Sequence, residues 1–300
     1  MPRRYLHYDV FTREPFAGNQ LAVFLDGRGL DAARMQAVAR EMAFSETTFV
    51  LPPEEPGTDV RLRIFTPALE LPAAGHPTIG STFALVEDGV IARRRASFVF
   101  GLGVGPTPVS MEWDGDRLRF AWMTQRLPEF GPVVADQSAV ADALGLRSDD
   151  LRTGFPVQQV SCGVPFLFVL LETRDAVDRA VSETGPLRRL NERTGLKLPV
   201  FLFTPEAGEP EATVYSRMFS PQFGIAEDPA TGIASGPLGC YLVRYGLVGA
   251  ESAGRILSLQ GQAMGRPSRI HIRIAGGREQ ITKVEIGGES VLVARGEMVV

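Results

Sequence analysis

Two cysteines in 300 residues are too few for a disulfide framework, and Cys162 and Cys240 stand far apart with neither CxxC spacing nor a histidine cluster nearby. Both read as ordinary buried thiols, and no metal site is expected. The chain also lacks any run of about 18 apolar residues, and Arg3 and Arg4 precede no apolar signal core. Neither a membrane helix nor a secretory leader is expected, so the expected setting is the cytoplasm. A surplus of positive charge is missing as well: 31 Lys and Arg against 35 Asp and Glu leave a net charge of −4. The short basic run Arg93–Arg95 reads as a solvated turn, which argues against a nucleic-acid partner. Absent too is the GxSxG elbow of a serine hydrolase. Histidine is scarce, with only three in the chain.

What is present is ample core material, 44% apolar, at a length that suggests about two domains. One of the few histidines, His76, sits in "ELPAAGHPTIG" (70–80), between a glycine and a proline. Proline biases its predecessor away from helix, which predicts an extended or turn conformation for His76 and a helix over 77–88 that ends before Gly89. A helix N-terminus gathers backbone N–H groups and positive dipole, which suits an anionic ligand or a developing negative charge. The plain alternative is a turn histidine that merely starts a helix.

The same stretch occurs twice. "ELPAAGHPTIGSTFALVEDGVI" (70–91) lies over "EDPATGIASGPLGCYLVRYGLV" (227–248) at a constant offset of 157. Glu70, Pro72, Ala73, Gly75, Leu85, Val86 and Gly89 match Glu227, Pro229, Ala230, Gly232, Leu242, Val243 and Gly246. Upstream, "RIFTP" (63–67) echoes "RMFSP" (217–221), and "GNQLAVFL" (18–25) echoes "GVPFLFVL" (163–170). Three echoes in one order argue for duplication. Each half then holds a glycine-led strand, an alternating strand such as "VRLRIF" and a glycine-started helix, the second over 233–245. "DAARMQAVAREMA" (31–43) is an amphipathic helix with Asp31 as N-cap, and most other segments are strand-like. The expected fold is α+β: two pseudo-repeated halves, 1–125 and 126–300, each a curved, mostly antiparallel sheet wrapped around a central helix. In such a pair the two helix N-termini are expected to wall one cleft.

Three titratable groups belong to these stretches: His76, Asp228 before the second repeat glycine, and Glu46 in "FSETTFV". If 45–51 is a strand, Glu46, Thr48 and Val50 share one face and Phe49 and Leu51 the other. Glu46 is then either a surface residue or a tuned acid, and Asp228 either a turn and cap or part of a site. Gathered near two helix N-termini, the three would make a proton-transfer site with an anion hole.

At "VFTREPFAGNQLAVF", "FSETTFV", "AAGHPTIGSTFAL", "EDPATGIASGPLGCYL" and "QGQAMGRPS" the sequence resembles the PhzF-like family of phenazine-biosynthesis-type isomerases, which has the diaminopimelate epimerase fold. The resemblance implies Glu46 as the principal proton shuttle, with His76 and Asp228 as assisting acid–base and orienting partners. It implies an anion-binding surface of amides around Gly75 and Gly232, no metal, no organic cofactor and a homodimer. The expected function is a cofactor-independent isomerase that moves a proton within a small carboxylate- or amine-bearing metabolite. Related epimerases carry a cysteine before each repeat glycine; Ala74 and Thr231 hold those slots here, which counts against two-base racemisation. Many family members carry a serine where this chain has Ile233, so a hydroxyl donor to a substrate carboxylate is lost and a different substrate, or a non-catalytic ligand-binding protein of the same fold, stays open.

Overall fold

A computed structural model describes every residue except Met1, Lys197, Gln222 and Phe223, and the chain divides into two units, Met1–Gln125 with Glu285–Val300 and Arg126–Val284. The first unit contains β1 (Pro2–Val10), β2 (Asn19–Phe24), α1 (Ala32–Met42), β3 (Glu46–Leu51), β4 (Val60–Phe65), β5 (Glu70–Leu71), α2 (Gly75–Glu87), β6 (Ser97–Leu102), β7 (Gly105–Asp114) and β8 (Arg117–Gln125). The second contains β9 (Glu129–Val133), α3 (Gln137–Ala143), β10 (Gln158–Ser161), β11 (Pro165–Leu170), α4 (Arg174–Arg179), α5 (Thr184–Thr194), β12 (Val200–Thr204), β13 (Val214–Ser220), β14 (Ile225–Asp228), α6 (Gly232–Arg244), β15 (Ile256–Gln260) and β16 (Ser268–Gly276). β17 (Ile281–Gly288) carries the chain back to the first unit, where β18 (Ser290–Val299) ends it. Residues 285–300 therefore group with the first half rather than the second, because β18 runs antiparallel along the whole of β1.

The strand pairings make the duplication plain. In the first unit β1 is antiparallel to β2, β2 parallel to β3, β3 antiparallel to β4, β4 antiparallel to β5 and parallel to β6, and β6 antiparallel to β7. In the second unit β10 through β16 repeat that series of orientations step for step. α2 and α6 occupy the same place in the series and are enveloped: every residue from Gly75 to Leu85 and from Gly232 to Val243 is buried. A helix that is apolar all round has no solvent face to present, and here the strands of its own unit surround it. α2 packs on β1, β2, β3, β8 and β18, and α6 on β10, β11 and β16. The other face of each sheet is covered by the amphipathic helices, α1 over Phe24, Phe49 and Phe65 in the first unit and α3, α4 and α5 over Val169, Leu202 and Phe219 in the second. Asp31 caps α1, its carboxylate accepting from the Arg34 N–H at 2.7 Å.

The matched residues of the two echoes explain one another. Arg63 on β4 forms a two-pronged pair with Glu70 on β5, at 2.8 and 2.7 Å, and its guanidinium lies over the Phe65 ring at 5.1 Å. Arg217 on β13 does the same with Glu227 on β14, at 2.8 and 2.7 Å, and lies over Phe219 at 4.7 Å. Planar forks of this kind fix the angle between paired strands as well as their charge. Arg217 goes further, donating to the backbone carbonyls of Val177, Asp178 and Ala180 at the end of α4. Among the described residues no helix is long and apolar enough to cross a membrane.

Both duplicated helices begin earlier than the sequence pattern suggests, at Gly75 and Gly232. His76 is thus helical, in the first turn, and not the extended residue that the following proline favours. The first N–H groups of a helix have no intrahelical partner, so the N–H that Pro77 lacks would have gone unbonded in any case. Extended backbone falls two residues earlier, at Ala74 (φ −153°, ψ 149°).

Candidate active site

Glu46 opens β3, whose register sets it beside Leu21 of the parallel strand β2. Two residues on and on the same face, the Thr48 hydroxyl meets that of Ser81 on α2 at 3.1 Å, which ties the strand face to the helix. Gly80 permits this approach, since a methyl group there would stand 2.5 Å from the Leu21 Cδ2 and 2.6 Å from the Val10 Cγ2. The opposite face of β3 gives Phe49 to the core under α1. Glu46 is left on the helix side, 7% exposed, and His76 on the first turn of α2 is 3% exposed.

The Glu46 Oε2 and His76 Nε2 lie 3.0 Å apart, close but not aligned as a hydrogen bond. On the far side of the ring the Asn19 amide nitrogen lies 3.1 Å from Nδ1. With the amide nitrogen as donor, Nδ1 accepts, and a neutral ring in this arrangement carries its proton on Nε2, toward Glu46. A carboxyl group and an imidazole this close in a nearly dry setting form a proton-handling pair. Asn19 is a site residue that the sequence pattern does not single out. Its only signal is its place in "AGNQ", at the start of a strand and after a left-handed glycine (Gly18, φ +64°).

The second unit holds its own cluster. Asp228 ends β14, is 4% exposed, and its carboxylate accepts from the Thr231 hydroxyl at 2.6 Å. Gln260, fully buried at the end of β15, clamps the same turn. Its amide nitrogen donates to the Asp228 carbonyl at 2.7 Å and the Thr231 hydroxyl at 2.9 Å, and its oxygen accepts from the Thr231 N–H at 3.0 Å. Gly261 lets this clamp close: at φ +76°, a methyl group there would meet the Pro229 oxygen at 2.5 Å. Gln260 is the second missed residue, visible beforehand only as the first letter of "QGQAMGRPS". The structure thus brings Glu46 and His76 together in the first unit, while Asp228, Gly232 and Ile233 belong to the second.

α1, α3 and α4 are capped by the side chains of Asp31, Asp136 and Thr173, whereas no side chain caps α2 or α6. In the duplicated pair the hydroxyl one turn into the helix bonds backward instead: Thr78 to the Ala74 carbonyl at 2.7 Å and Ser235 to the Thr231 carbonyl at 3.0 Å. Ile233, 9% exposed, adds an apolar wall to the first turn of α6. Cys162 and Cys240 are both buried in the second unit with their sulfurs 4.0 Å apart. Hydrogen bonding to Cys240, and then burial, push the Cys162 thiol up from its ordinary value. Among the described residues, no three His, Cys, Asp or Glu side chains gather in a way that could hold a metal ion.

Residues 8–296, nearly the entire chain, match the phenazine biosynthesis-like protein family (PhzC-PhzF). The chain belongs to this family. Curated relatives of this PhzF-family protein at 31–36% identity are named isomerases, which fixes its class. One, from Pseudomonas aeruginosa, is trans-2,3-dihydro-3-hydroxyanthranilate isomerase, 36% identical with 98% of each chain covered. The crystal structure of a PhzF-family phenazine biosynthesis protein from Bacillus anthracis superposes over 100% of both chains at 26% identity with a TM-score of 0.88. A hydroxyproline epimerase from Agrobacterium vitis, 13% identical with a TM-score of 0.67 over 99% of this chain and 92% of its own, shares the fold alone. The PhzF-family protein therefore has the epimerase-type α+β fold, two duplicated halves each built around an enclosed helix.

Proposed function

We propose that this PhzF-family protein is a cofactor-independent isomerase that shifts a proton between two carbons of one small, carboxylate- or amine-bearing metabolite. The observation that carries the reading is the buried approach of Glu46 to His76. The Glu46 carboxylate takes a proton from one carbon, the electron pair left behind spreads into an adjoining double bond, and the same proton returns to the carbon at the far end. A single carboxylate does this on one face of the substrate and needs no second base opposite. Ala74 and Thr231, where a two-base racemase would need thiols, agree with that economy. His76 presents its Nε2–H to charge that develops as the proton leaves, and Asn19 holds the tautomer that makes this possible. Asp228, positioned by Thr231 and Gln260 in the second unit, is the assisting acid–base and orienting group that the family resemblance implies. The helix starts at Gly75 and Gly232 each offer amides and a positive dipole end suited to a substrate carboxylate. The substrate of the Pseudomonas aeruginosa relative, a cyclic amino acid with a ring hydroxyl, belongs to this chemical class.

The test is incubation of trans-2,3-dihydro-3-hydroxyanthranilate and related unsaturated amino acids in deuterated water, read by NMR and mass spectrometry. An isomerised product or carbon-bound deuterium is expected. Glu46→Gln preserves size and removes the base, so the rate should fall by about 10²–10⁴, the usual range for loss of a general base. A folded Glu46→Gln protein with undiminished turnover would sink the assignment.

A further inference from the structure

The two halves differ most tellingly in one connection. In the second unit β10 passes to β11 through residues 162–164, whereas in the first β1 passes to β2 through residues 11–18. The shorter link suffices for the duplicated fold, so the additional chain in the first half is not needed to join the strands. It is nonetheless held firmly. The Phe11 N–H donates to the Glu289 carbonyl at 2.8 Å, Arg13 pairs with the Glu289 carboxylate, and the Thr12 hydroxyl and the Glu14 backbone bond to each other. The Phe16 N–H donates to the buried carboxylate of Asp9 at 2.6 Å.

These anchors force two phenylalanines into left-handed backbone, Phe11 at φ +64° and Phe16 at φ +71°, a conformation that bulky residues rarely adopt. Phe11 is 1% exposed, and core burial accounts for it. Phe16 is 74% exposed, so nothing in its own packing offsets the strain. It is the one aromatic among the strongly exposed large hydrophobic side chains of the described residues. A fixed, strained backbone that holds an aromatic ring in water is preorganised for something that covers the ring.

The sequence position indicates what covers it. Asn19, which orients His76, is three residues from Phe16, so their Cα atoms lie at most about 11 Å apart. We infer that Phe16 is a specificity-determining residue of the site, whose ring packs against a planar, unsaturated part of a carboxylate-bearing substrate. The inference rests on reading the Glu46–His76 pair as a substrate site and deepens it by naming a residue that reads the shape of that substrate. Asp9 is then a positioning residue, which acts on substrate only through the Phe16 backbone.

The probes are 3-hydroxyanthranilate, planar, and cyclohexanecarboxylate, of the same charge but puckered, each titrated calorimetrically into wild-type, Phe16→Ala and Phe16→Tyr protein. Because Phe16 is exposed, its truncation leaves the core intact. The Ala variant should bind 3-hydroxyanthranilate roughly 3- to 10-fold more weakly, the range of an aromatic stacking contact, with cyclohexanecarboxylate changed less than twofold and the planar affinity restored by Tyr. Binding of 3-hydroxyanthranilate by Phe16→Ala within twofold of wild type would overturn the inference, as would equal losses for both probes or no binding of either by wild type. Loss of self-association in Phe16→Ala with unchanged binding would overturn it too, and would make the ring a contact between copies. If the Phe16 difference is found but no candidate incorporates deuterium, the proton-transfer reading falls and the binding role stands.

Discussion

Replacing Arg63 and Arg217 by methionine, one at a time, tests whether a duplicated interaction is duplicated in energy. The two forks have the same bond lengths, yet their settings differ. The Arg217–Glu227 side chains are 10% and 16% exposed, the Arg63–Glu70 side chains 20% and 35%. Arg217 also serves the three carbonyls at the end of α4, which would lose their donor. Removing one partner of a buried pair strands the other charge and costs about 3–5 kcal/mol. An outer pair whose carboxylate can rehydrate is worth at most about 1 kcal/mol. Arg217→Met should therefore lower stability by about 3 kcal/mol more than Arg63→Met. With a urea slope of about 1–3 kcal/mol per molar, this is a midpoint difference of roughly 1–3 M. Both tryptophans, Trp113 and Trp122, lie in the first unit, so their fluorescence follows that unit while far-UV circular dichroism follows both. Non-coincident transitions would show the units melting separately and would localise each effect. An Arg63→Met protein as damaged as Arg217→Met, or more so, would refute the argument from burial.

Gln260→Met cuts three hydrogen bonds around Asp228 and Thr231; it should cost about 1–3 kcal/mol of stability and lower kcat at least tenfold with a smaller change in KM. Unchanged kcat in a folded variant would remove Gln260 from the site. Stability should also fall steadily as pH rises above about 8.5. Burial raises the hydroxyls of Tyr8 and Tyr241, and Cys240 and burial raise the Cys162 thiol, so the folded chain keeps protons that the unfolded chain releases near pH 8.5 for the thiol and 10 for the phenols. Such stabilisation is complete below those values and is lost above them. A melting temperature that stays level or climbs from pH 8.5 to 11 would contradict it.

The parts of the molecule legible in its sequence are those where one residue type repeats under one constraint. The glycines and Glu–Pro–Ala letters at the offset of 157 locate α2 and α6, and the Arg and Glu of the same echoes turn out to be the forks beside them. Glu46 stays open between surface and site in the sequence because alternation identifies a strand face but not what covers it; α2 covers it, and Thr48 and Ser81 show how. The sequence predicts an extended or turn His76 and the structure makes it helical, because the steric rule for residues before proline is weaker than the gain from completing a first turn that needs no N–H from Pro77. Asn19 and Gln260 escaped notice because a lone amide in a strand has no periodicity. The allegiance of β18 escaped for a related reason: a strand's pattern fixes its faces, not its partner.

That last strand decides the order in which the protein can be completed. β1 precedes every other described element and β18 follows them all, yet they are neighbours across nine residues of β1. The second unit, by contrast, is one unbroken stretch of chain whose strands pair among themselves, available in full before the ribosome reaches residue 285. The half that carries Glu46 and His76 must therefore wait with an open edge until β18 has been made, its two edge strands separated in sequence by every other described element. Closing so long a loop is the entropically dearest step in the fold, and a slow one by contact order. The proton-handling pair is thus housed in the unit that closes only once β18 is in place, and that strand acts as the latch on its sheet.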